Sequence, residues 1–307
     1  MNLLSAKTSM KSYRNILVGI NYTTASRHAL LKAHRIASED GAKLTACHVV
    51  PLGEITEFVD FYMIEHKIMT DAALSSLEGF VEETLGADHE VTCMICEGIP
   101  HHELVARANE DGYDLLVLGD DDYASDSRKA GQFAIKCLRF AKMPVLLMNR
   151  PETNPDGPIA ACLDLSNATN PVLENAARLC SISSPDLHLV HVARPPWLHP
   201  LKIRYRKEVF EDKGLKEQFH EVLDGQLEVV RQKAAELISS PIKVCMLESE
   251  DPTHTLLEHL DATDYNLVVI GRVGKGFKGL VTDFMGGTAE TLIRHLGSPL
   301  LIVPLTE

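Results

Sequence analysis

The sequence predicts an α/β protein built from two tandem domains, each with an open, doubly wound parallel sheet. Three observations support this fold class: short apolar strands alternate with helical patterns, the order of elements repeats once, and 307 residues suit about two domains. Strands that alternate with helices form parallel βαβ units. The turn-rich segment PETNPDGP at 151–158 separates the halves, so we predict domains at 1–152 and 156–307.

Five strands are predicted in the first half, at NILVGIN, KLTACHVVP, EVTCMICEG, DLLVLG and PVLLMNR. The helices between them have recognisable ends. Thr23 and Thr24 are candidate N-caps for the first helix, which is expected to stop near Gly41. A long helical pattern ends near Leu85, and Pro100 opens the next helix.

The second half repeats this order of elements. Asn170 and Pro171 supply a predicted cap and a first-turn proline for its first helix. Matched positions lie 143, then 152, then 155 residues apart: Asp164 on Asn21, His191 on His48, His254 on His102, Gly271 on Gly119, Gly286 on Gly131 and Pro299 on Pro144. Offsets that rise in this order indicate a tandem duplication.

The charge balance disfavours nucleic acid as a partner. Thirty basic and 43 acidic side chains give a net charge of −13, and such a chain repels a phosphate backbone or an anionic membrane. Residues 1–13 lack the apolar core of a signal peptide, and no run approaches the about 18 apolar residues of a membrane span. We therefore expect a cytoplasmic protein that inserts into no membrane.

The seven cysteines are expected to be reduced core residues, because their number is odd and they are scattered in apolar runs. Cys93 and Cys96 form a CxxC. On a strand, positions three apart point to opposite faces, so this spacing favours neither a zinc nor a redox motif.

Histidines recur at matched positions near strand ends, namely His48, His101 and His102 in the first half and His191 and His254 in the second. They could hold a divalent metal, but no third ligand is evident. Bonding to local backbone is therefore the favoured interpretation, and we predict no metal site. A basic run, KIRYRK, stands at 202–207. We interpret it as a solvated helix face and not as a binding site for an acidic partner or a phosphate.

The most distinctive stretch is YNLVVIGRVGKGFKGLVTDFMGGTAET, which runs from Tyr265 to Thr291. A buried strand breaks there into glycines, and a helical pattern follows. Such a loop either brings backbone N–H groups to an anion or only makes tight turns. It is therefore a candidate phosphate site.

Both halves resemble the universal stress protein family. The likeness is carried by GIPHH and MPVLLM in the first half and by LDLS, VHVA, IGRVG, MGGTAE and SPLLIV in the second. It implies Rossmann-like (adenine nucleotide alpha hydrolase-like) domains, each with five parallel strands in the order 3-2-1-4-5. Members with a G-x2-G-x9-G-[ST] loop bind ATP. The resemblance therefore implies ATP or ADP in the second half, with Mg²⁺ as a possible companion.

The resemblance also assigns roles to single positions. Asp164 would accept hydrogen bonds from the ribose hydroxyls, and the backbone of Val192 would meet the adenine edge. Gly271 and Gly274 would let the chain approach the ribose and the phosphates without a Cβ in the way.

Phosphate contacts are implied at the start of the last helix, where Gly286, Gly287 and Thr288 would present N–H groups. The loop departs from the family pattern at two points. Eleven residues separate Gly274 from Gly286 where the family has nine, and Gly287 stands where the family has serine or threonine. Lys275 either supplies charge to a phosphate or remains solvated.

The first half departs further from the pattern. Asn21 replaces the aspartate, three aspartates stand at 120–122, and Gln132 and Phe133 occupy the helix start. Three carboxylates at a phosphate site repel a triphosphate unless a metal intervenes. We therefore expect this half to have lost the nucleotide and to be a structural partner or to hold a different ligand.

Two functional hypotheses stay open. The first is a stress-response protein whose second half binds ATP or ADP and which acts as a sensor or adaptor for a protein partner. The second is a scaffold or a protein that binds another ligand, with both loops degenerate. No nucleophile elbow or paired-carboxylate pattern stands out, so at most slow ATP hydrolysis is expected. The last strands of the halves are expected to pair, which makes the chain a pseudo-dimer, and further homodimerisation is expected.

Overall fold

A computed structural model describes residues 12–51, 59–119, 131–148, 151, 154–183, 185–198, 213–273 and 285–305. Several sequence predictions fall outside these residues, namely those on Gly274, Lys275, the aspartates at 120–122 and the basic run at 202–207. Among the described residues no helix is both long enough and apolar enough to cross a membrane.

The first half alternates strands and helices as predicted. Its elements are β1 (Asn15–Gly19), α1 (Thr24–Asp40), β2 (Lys43–Val50), α2 (Val59–Leu85), β3 (Val91–Glu97), α3 (Pro100–Glu110), β4 (Leu115–Gly119), α4 (Gln132–Phe140) and β5 (Val145–Met148). The hydroxyl of Thr23 accepts a hydrogen bond from the N–H of Ser26 and caps α1. Gly41 ends this helix in the left-handed region, with φ of 67°. The predicted cap and stop of α1 are both confirmed.

The second half has the same order of elements. They are β6 (Ile159–Cys162), α5 (Thr169–Ser183), β7 (Leu187–Ala193), a 3-10 turn (Pro196–Leu198), α6 (Lys213–Leu237), β8 (Ile242–Glu248), α7 (Pro252–Asp261), β9 (Leu267–Gly271), α8 (Gly287–His295) and β10 (Leu300–Val303).

The predicted cap of α5 is wrong. The helix already includes Thr169, and the N–H of Val172 donates to the carbonyl of Ala168 at 3.1 Å. Asn170 therefore lies inside the first turn, because the preceding turn sets the helical path before the asparagine is reached. Pro171 does stand in the first turn, where its missing N–H costs nothing.

The ten described strands form one sheet in the order β3-β2-β1-β4-β5-β10-β9-β6-β7-β8. Each half thus has the order 3-2-1-4-5, with parallel pairs throughout. The halves join through β5 and β10, which pair antiparallel. All four residues of each of these strands are buried, so two apolar edges cover each other as predicted.

Helices pack on both faces of this sheet. One face carries α1, α2, α5 and α6, and the other carries α3, α4, α7 and α8. Each core runs across the junction of the halves, because buried side chains of β5 and β10 contribute to both. The two domains therefore share their hydrophobic cores and do not merely touch.

Polar contacts also tie the halves together. The Tyr13 hydroxyl donates to Asn175 Oδ1 at 3.1 Å, and the Arg178 guanidinium lies 4.2 Å from the centre of the Tyr13 ring. Burial raises the pKa of Tyr13 to about 12. Lys32 Nζ donates to Asn266 Oδ1 at 3.3 Å within the same interface region.

Candidate ligand site of the second half

A cavity of about 1000 Å³ lies at the carboxyl ends of β6, β7 and β9, facing the start of α8. In a doubly wound sheet, ligands bind at this edge, where chain connections leave neighbouring strands in opposite directions. Strand β6 lies between β7 and β9 and so marks that point. Six of the eight predicted nucleotide-binding residues line the cavity: Asp164, Val192, Gly271, Gly286, Gly287 and Thr288.

Asp164 stands in a tight turn just after β6. Its Oδ1 accepts hydrogen bonds from the N–H and the hydroxyl of Ser166, at 3.1 and 2.6 Å. Leu165 between them has a positive φ of 55°, which is uncommon for a residue with a branched side chain. The turn therefore fixes the carboxylate at the cavity wall before any ligand arrives.

The first half contains the same turn. Asn21 Oδ1 accepts hydrogen bonds from the hydroxyl of Thr23 at 2.6 Å and its N–H at 3.4 Å. Tyr22 has a positive φ of 61°, as Leu165 does at the matched position. Strain of this kind persists where the surrounding structure imposes it. The duplicated feature is thus a turn geometry, and the charge of its first side chain differs between the halves.

Histidines on the second strand of each half support these turns. His191 Nδ1 donates to the carbonyl of Leu163 at 2.7 Å, and His48 Nδ1 donates to that of Ile20 at 2.8 Å. A carbonyl only accepts, so Nδ1 carries the proton in both rings. The interpretation that these two histidines serve local backbone is confirmed.

The other histidines at matched positions make local side-chain contacts. His102 Nδ1 lies 2.9 Å from Glu103 Oε1, and His254 Nε2 lies 3.1 Å from Glu258 Oε1. Within the described part of the chain, no group of three or more His, Cys, Asp and Glu side chains is placed to hold a metal ion.

Gly271 ends β9 and has a packing reason to be glycine. A Cβ on it would lie 3.0 Å from the Cβ of Ala168, at the start of α5. The packing around the matched Gly119 is tighter still, because a Cβ there would lie 2.3 Å from the carbonyl carbon of Ala25. In both halves this glycine lets the first helix approach the fourth strand. In the second half the helix start, at Ala168 and Val172, also lines the cavity.

The start of α8 is built to present backbone N–H groups. Gly286 is its N-cap, with extended φ and ψ of −67° and 143°, and makes no side-chain cap. The carbonyl of Gly286 accepts from Glu290 N, so the amides of Gly287, Thr288 and Ala289 precede the first complete turn of the helix. These three residues line the cavity, and the positive end of the helix dipole lies there.

Two side chains complete this end of the cavity. The hydroxyl of Thr288 lies 2.8 Å from that of Thr253, on α7, so it is held by its neighbour. A Cβ on Gly287 would meet no atom within 4 Å, so the backbone there faces open space. Gly274 and Lys275, also predicted to bind the nucleotide, lie outside the described residues.

Arg272 is a cavity residue that the sequence analysis missed. Its side chain is buried and its Nη1 donates to the carbonyls of Leu138 and Ala141, at 2.8 and 2.9 Å. These carbonyls lie at the carboxyl end of α4, in the first half, where a cation is favourable to the helix dipole. The signal in the sequence is a charged residue directly after an apolar strand, where the first half has Asp120.

An aromatic cluster lies beside the cavity. The Phe219 ring, which lines the wall, meets the Trp197 ring at a centroid distance of 5.1 Å, and Lys216 Nζ lies 5.5 Å from the Trp197 ring. Next to them, His220 contacts Glu248. This cluster was not predicted, because this region is longer than its counterpart in the first half and none of the matched positions of the repeat falls in it.

The corresponding cavity of the first half is smaller, about 380 Å³. Phe133 lines it at the position that Thr288 occupies in the second half. The N-cap also differs, because Gly131 is left-handed with φ of 72° whereas Gly286 is extended. A bulky ring thus stands at the helix start of the first half, where the second half offers a hydroxyl.

The fold and these cavities define the class: a tandem pair of doubly wound α/β domains, each with a ligand crevice at the carboxyl edge of its sheet. The sequence profile of the universal stress protein family matches residues 12–149 and again residues 157–304. The chain therefore belongs to the universal stress protein family, as a tandem two-domain member. No curated protein sequence matches the chain.

Two solved structures share the fold over almost the whole chain. A universal stress protein from Archaeoglobus fulgidus DSM 4304 has a TM-score of 0.65 and 17% identity, covering 95% of this chain and 98% of its own. A functionally unknown protein from Pseudomonas aeruginosa PAO1 has a TM-score of 0.68 and 18% identity, covering 96% and 94%. A universal stress protein in complex with cAMP matches 45% of this chain and 97% of its own, with a TM-score of 0.34 and 24% identity.

Proposed function

We propose that the second half binds an adenine nucleotide, ATP or ADP, and that the protein acts as a nucleotide-dependent sensor or adaptor. One observation carries this proposal. A single cavity brings together a fixed carboxylate at Asp164 and a helix start with free space in front of its first amides. A nucleotide has sugar hydroxyls that suit the first group and phosphates that suit the second.

The phosphates belong at α8. The amides of Gly287, Thr288 and Ala289 precede the first helical hydrogen bonds, and the dipole adds positive potential at the same place. Gly287 leaves the approach to the backbone open, and the Thr288 hydroxyl adds a donor. A phosphate therefore finds neutral donors at this end, and its recognition depends on the backbone.

The ribose belongs at the turn after β6. Ser166 holds Asp164 Oδ1, so the carboxylate keeps one orientation at the wall. Carboxylate oxygens accept hydrogen bonds strongly, and two adjacent sugar hydroxyls are suited donors. Val192 lies on the neighbouring strand β7 and also lines the cavity, where its backbone is available to the base.

Magnesium has no dedicated protein site here. Asp164 is the one carboxylate among the described residues that line the cavity, and it closes the turn. Mg²⁺ prefers octahedral oxygen ligands and usually keeps several waters. A cation that accompanies the nucleotide would therefore rest on phosphate oxygens and water, and the described residues do not themselves fit a metal site.

The first half fits a different role. Phe133 occupies the helix start and Asn21 replaces the carboxylate, so neither element of the proposed site is present there. We propose that this half is a partner that carries the response. Arg272 connects the two, because it follows Gly271 at the cavity and bonds the end of α4. A homodimer is proposed in addition, and size-exclusion chromatography with light scattering tests it.

Calorimetric titration of the full chain with ATP tests the proposal. We expect one site per chain, and Asp164→Ala is expected to weaken binding about tenfold or more, because a charged hydrogen bond contributes about 1.5–3 kcal/mol. Asp261→Ala, the same change at an exposed position, is the matched control. Wild-type protein that binds no ATP at millimolar concentration would refute nucleotide binding.

Native mass spectrometry of freshly purified protein separates the two hypotheses. A co-purifying adenine nucleotide supports the sensor. If a different molecule co-purifies and calorimetry detects no ATP binding, the alternative is favoured. In that alternative both glycine loops are degenerate and the cavities bind another ligand.

A further inference from the structure

Two cysteines of the first half face each other across neighbouring strands. Cys47 lies on β2 and Cys96 on β3, and their sulfurs are 3.6 Å apart. Strand register explains the contact: Cys47 pairs with Met94 and Val49 pairs with Cys96, so the cysteines are diagonal neighbours on one face. Both belong to the core under α3 and α4.

The CxxC spacing is not what joins them. Cys93 packs against the core on the opposite face of the sheet, so Cys93 and Cys96 point apart as the strand predicts. The partner of Cys96 is 49 residues away in sequence. A spacing rule that considers only neighbours in sequence therefore misses this pair.

Arg107 makes the environment of Cys96 unlike that of an ordinary core thiol. The thiol of Cys47 donates toward the Cys96 sulfur, and this contact, together with the positive charge of Arg107 on α3, holds the pKa of Cys96 below its usual value. The same contact, together with burial, raises the pKa of Cys47. Of the two neighbouring sulfurs, Cys96 is thus the one that more readily loses its proton, and Cys47 is the one that keeps it.

The remaining cysteines show the opposite behaviour. Burial raises the pKa of Cys162 and of Cys180 to about 12, and it also raises the pKa of Cys93, Cys137 and Cys245. Among the seven thiols, Cys96 alone has a lowered pKa. Selective chemistry at this sulfur is thus possible without protection of the other six.

The second half provides an internal comparison. Strand register places Val190 where the first half has Cys47 and Leu247 where it has Cys96. Apolar side chains therefore satisfy the packing needs of this position in the same fold. Two sulfurs and a guanidinium are an addition of the first half that packing does not require.

We propose that Cys96 and Cys47 form a peroxide-reactive dithiol, with Cys96 as the attacking thiolate and Cys47 as the resolving thiol. The Cys96 thiolate attacks one oxygen of a hydroperoxide, the O–O bond breaks, and the other oxygen leaves as water or an alcohol after taking up a proton. Cys96 becomes a sulfenic acid. The Cys47 sulfur then attacks the Cys96 sulfur, a disulfide forms, and water leaves.

The surroundings allow this sequence of steps. Arg107 is exposed and Cys96 retains 8% exposure, so the sulfur lies just beneath the surface. Cys47 lines the 380 Å³ cavity next to His48. The sulfurs must close from 3.6 Å to about 2.05 Å, a displacement that involves the ends of two adjacent strands. Oxidation therefore acts on the wall of the cavity in the first half.

Peroxide treatment of the full chain, followed by differential alkylation and peptide mass spectrometry, tests the proposal. With hydrogen peroxide as the probe, we expect a peptide pair linked between Cys47 and Cys96, while Cys93 stays reduced at the same dose. Cys47→Ser should instead accumulate a sulfenic acid at Cys96 that dimedone traps. Cys96→Ser should leave Cys47 reduced. Cys96 oxidation that is no faster than that of Cys93 would overturn the proposal.

Substitution of the guanidinium provides a second measurement that touches neither sulfur. Arg107→Gln should slow alkylation of Cys96 at neutral pH about tenfold and move the midpoint of its rate profile to higher pH, since one pKa unit is about tenfold in thiolate. Arg139→Gln, at an exposed arginine on α4, is the matched control. An unchanged profile in Arg107→Gln would contradict the assigned nucleophile even if both proteins fold normally.

Discussion

Asp164 and Asn21 close the same turn with different charge. Each uses Oδ1 to accept from the residue two positions on, and each is followed by a residue with positive φ. The turn itself needs only an acceptor oxygen, which an amide supplies as well as a carboxylate. Charge at this position is therefore available for a ligand and is not required by the fold.

Asp164→Asn separates these two roles. We expect the free energy of unfolding to change by less than about 0.5 kcal/mol, because the amide keeps the bonds to Ser166. ATP affinity should fall about tenfold, because the charged acceptor is lost. Urea denaturation and calorimetry measure the two quantities. A variant that loses stability but keeps its ATP affinity would mean that the charge of Asp164 serves the fold and not the ligand.

Tyr13 makes stability depend on pH at the alkaline end. Burial raises its pKa to about 12 from an ordinary value of 10. A group whose pKa is raised by folding contributes stability below its unfolded pKa, and this contribution is lost as pH rises from about 10 toward 12.

Tyr13→Phe tests this dependence. The variant keeps the ring under Arg178 but lacks the hydroxyl that bonds Asn175. Its unfolding free energy should fall less steeply above pH 10, with a difference of at most roughly 2–3 kcal/mol between pH 10 and 12. Denaturant titrations across this range measure it. Because the pKa of Tyr265 is also raised to about 12, part of the slope should remain.

Among the elements, α4 links the two halves. Its start contributes Phe133 to the smaller cavity, and the carbonyls at its end accept from Arg272, which lies at the larger one. One short helix therefore contacts both crevices. Among the described helices, α4 thus has contacts that span the two crevices.

Arg272→Met tests how much that link contributes. Methionine keeps an unbranched apolar stem but lacks the guanidinium, so the buried carbonyls of Leu138 and Ala141 lose their donor. We therefore expect a loss of about 2–4 kcal/mol in the free energy of unfolding. Arg139→Met, an exposed arginine on the same helix, should cost less than about 0.5 kcal/mol. Equal effects of the two variants would show that the cross-half bonds are not important.

Strand positions were predictable from the sequence, because apolar runs, turn residues and the repeat agree with one another. The strand order 3-2-1-4-5 was implied by the family resemblance, and the sheet has it in both halves. The pairing of β5 with β10 followed from two apolar edges that need cover. The start of α5 was predicted wrongly, because the helix is set by the turn before it and is not capped by the Asn170 side chain. Arg272 and the pair Cys47–Cys96 were missed for another reason: their partners are distant in sequence.

The ten described strands of the two halves form one continuous sheet. Both hydrophobic cores contain residues of the two halves. The division into domains at 1–152 and 156–307 stays a prediction, and it does not imply that each domain folds alone. Shared cores couple the stability of the halves, because neither can unfold without exposing the buried faces of β5 and β10.

We therefore expect a single cooperative unfolding transition. Trp197, the one tryptophan of the chain, lies in the second half, whereas far-ultraviolet circular dichroism reports on both halves. The two signals should have the same midpoint in urea. A second transition in circular dichroism after the Trp197 signal is complete would mean that the first half folds on its own.

Hydrogen exchange with and without ATP distinguishes the two crevices, because only the second half is proposed to bind the nucleotide. We expect slower exchange at the amides of Gly287, Thr288 and Ala289 and in the turn at 163–166, with no change at the matched residues 132–134 and 20–23. Protection of the first-half positions, or no protection at the start of α8, would contradict it.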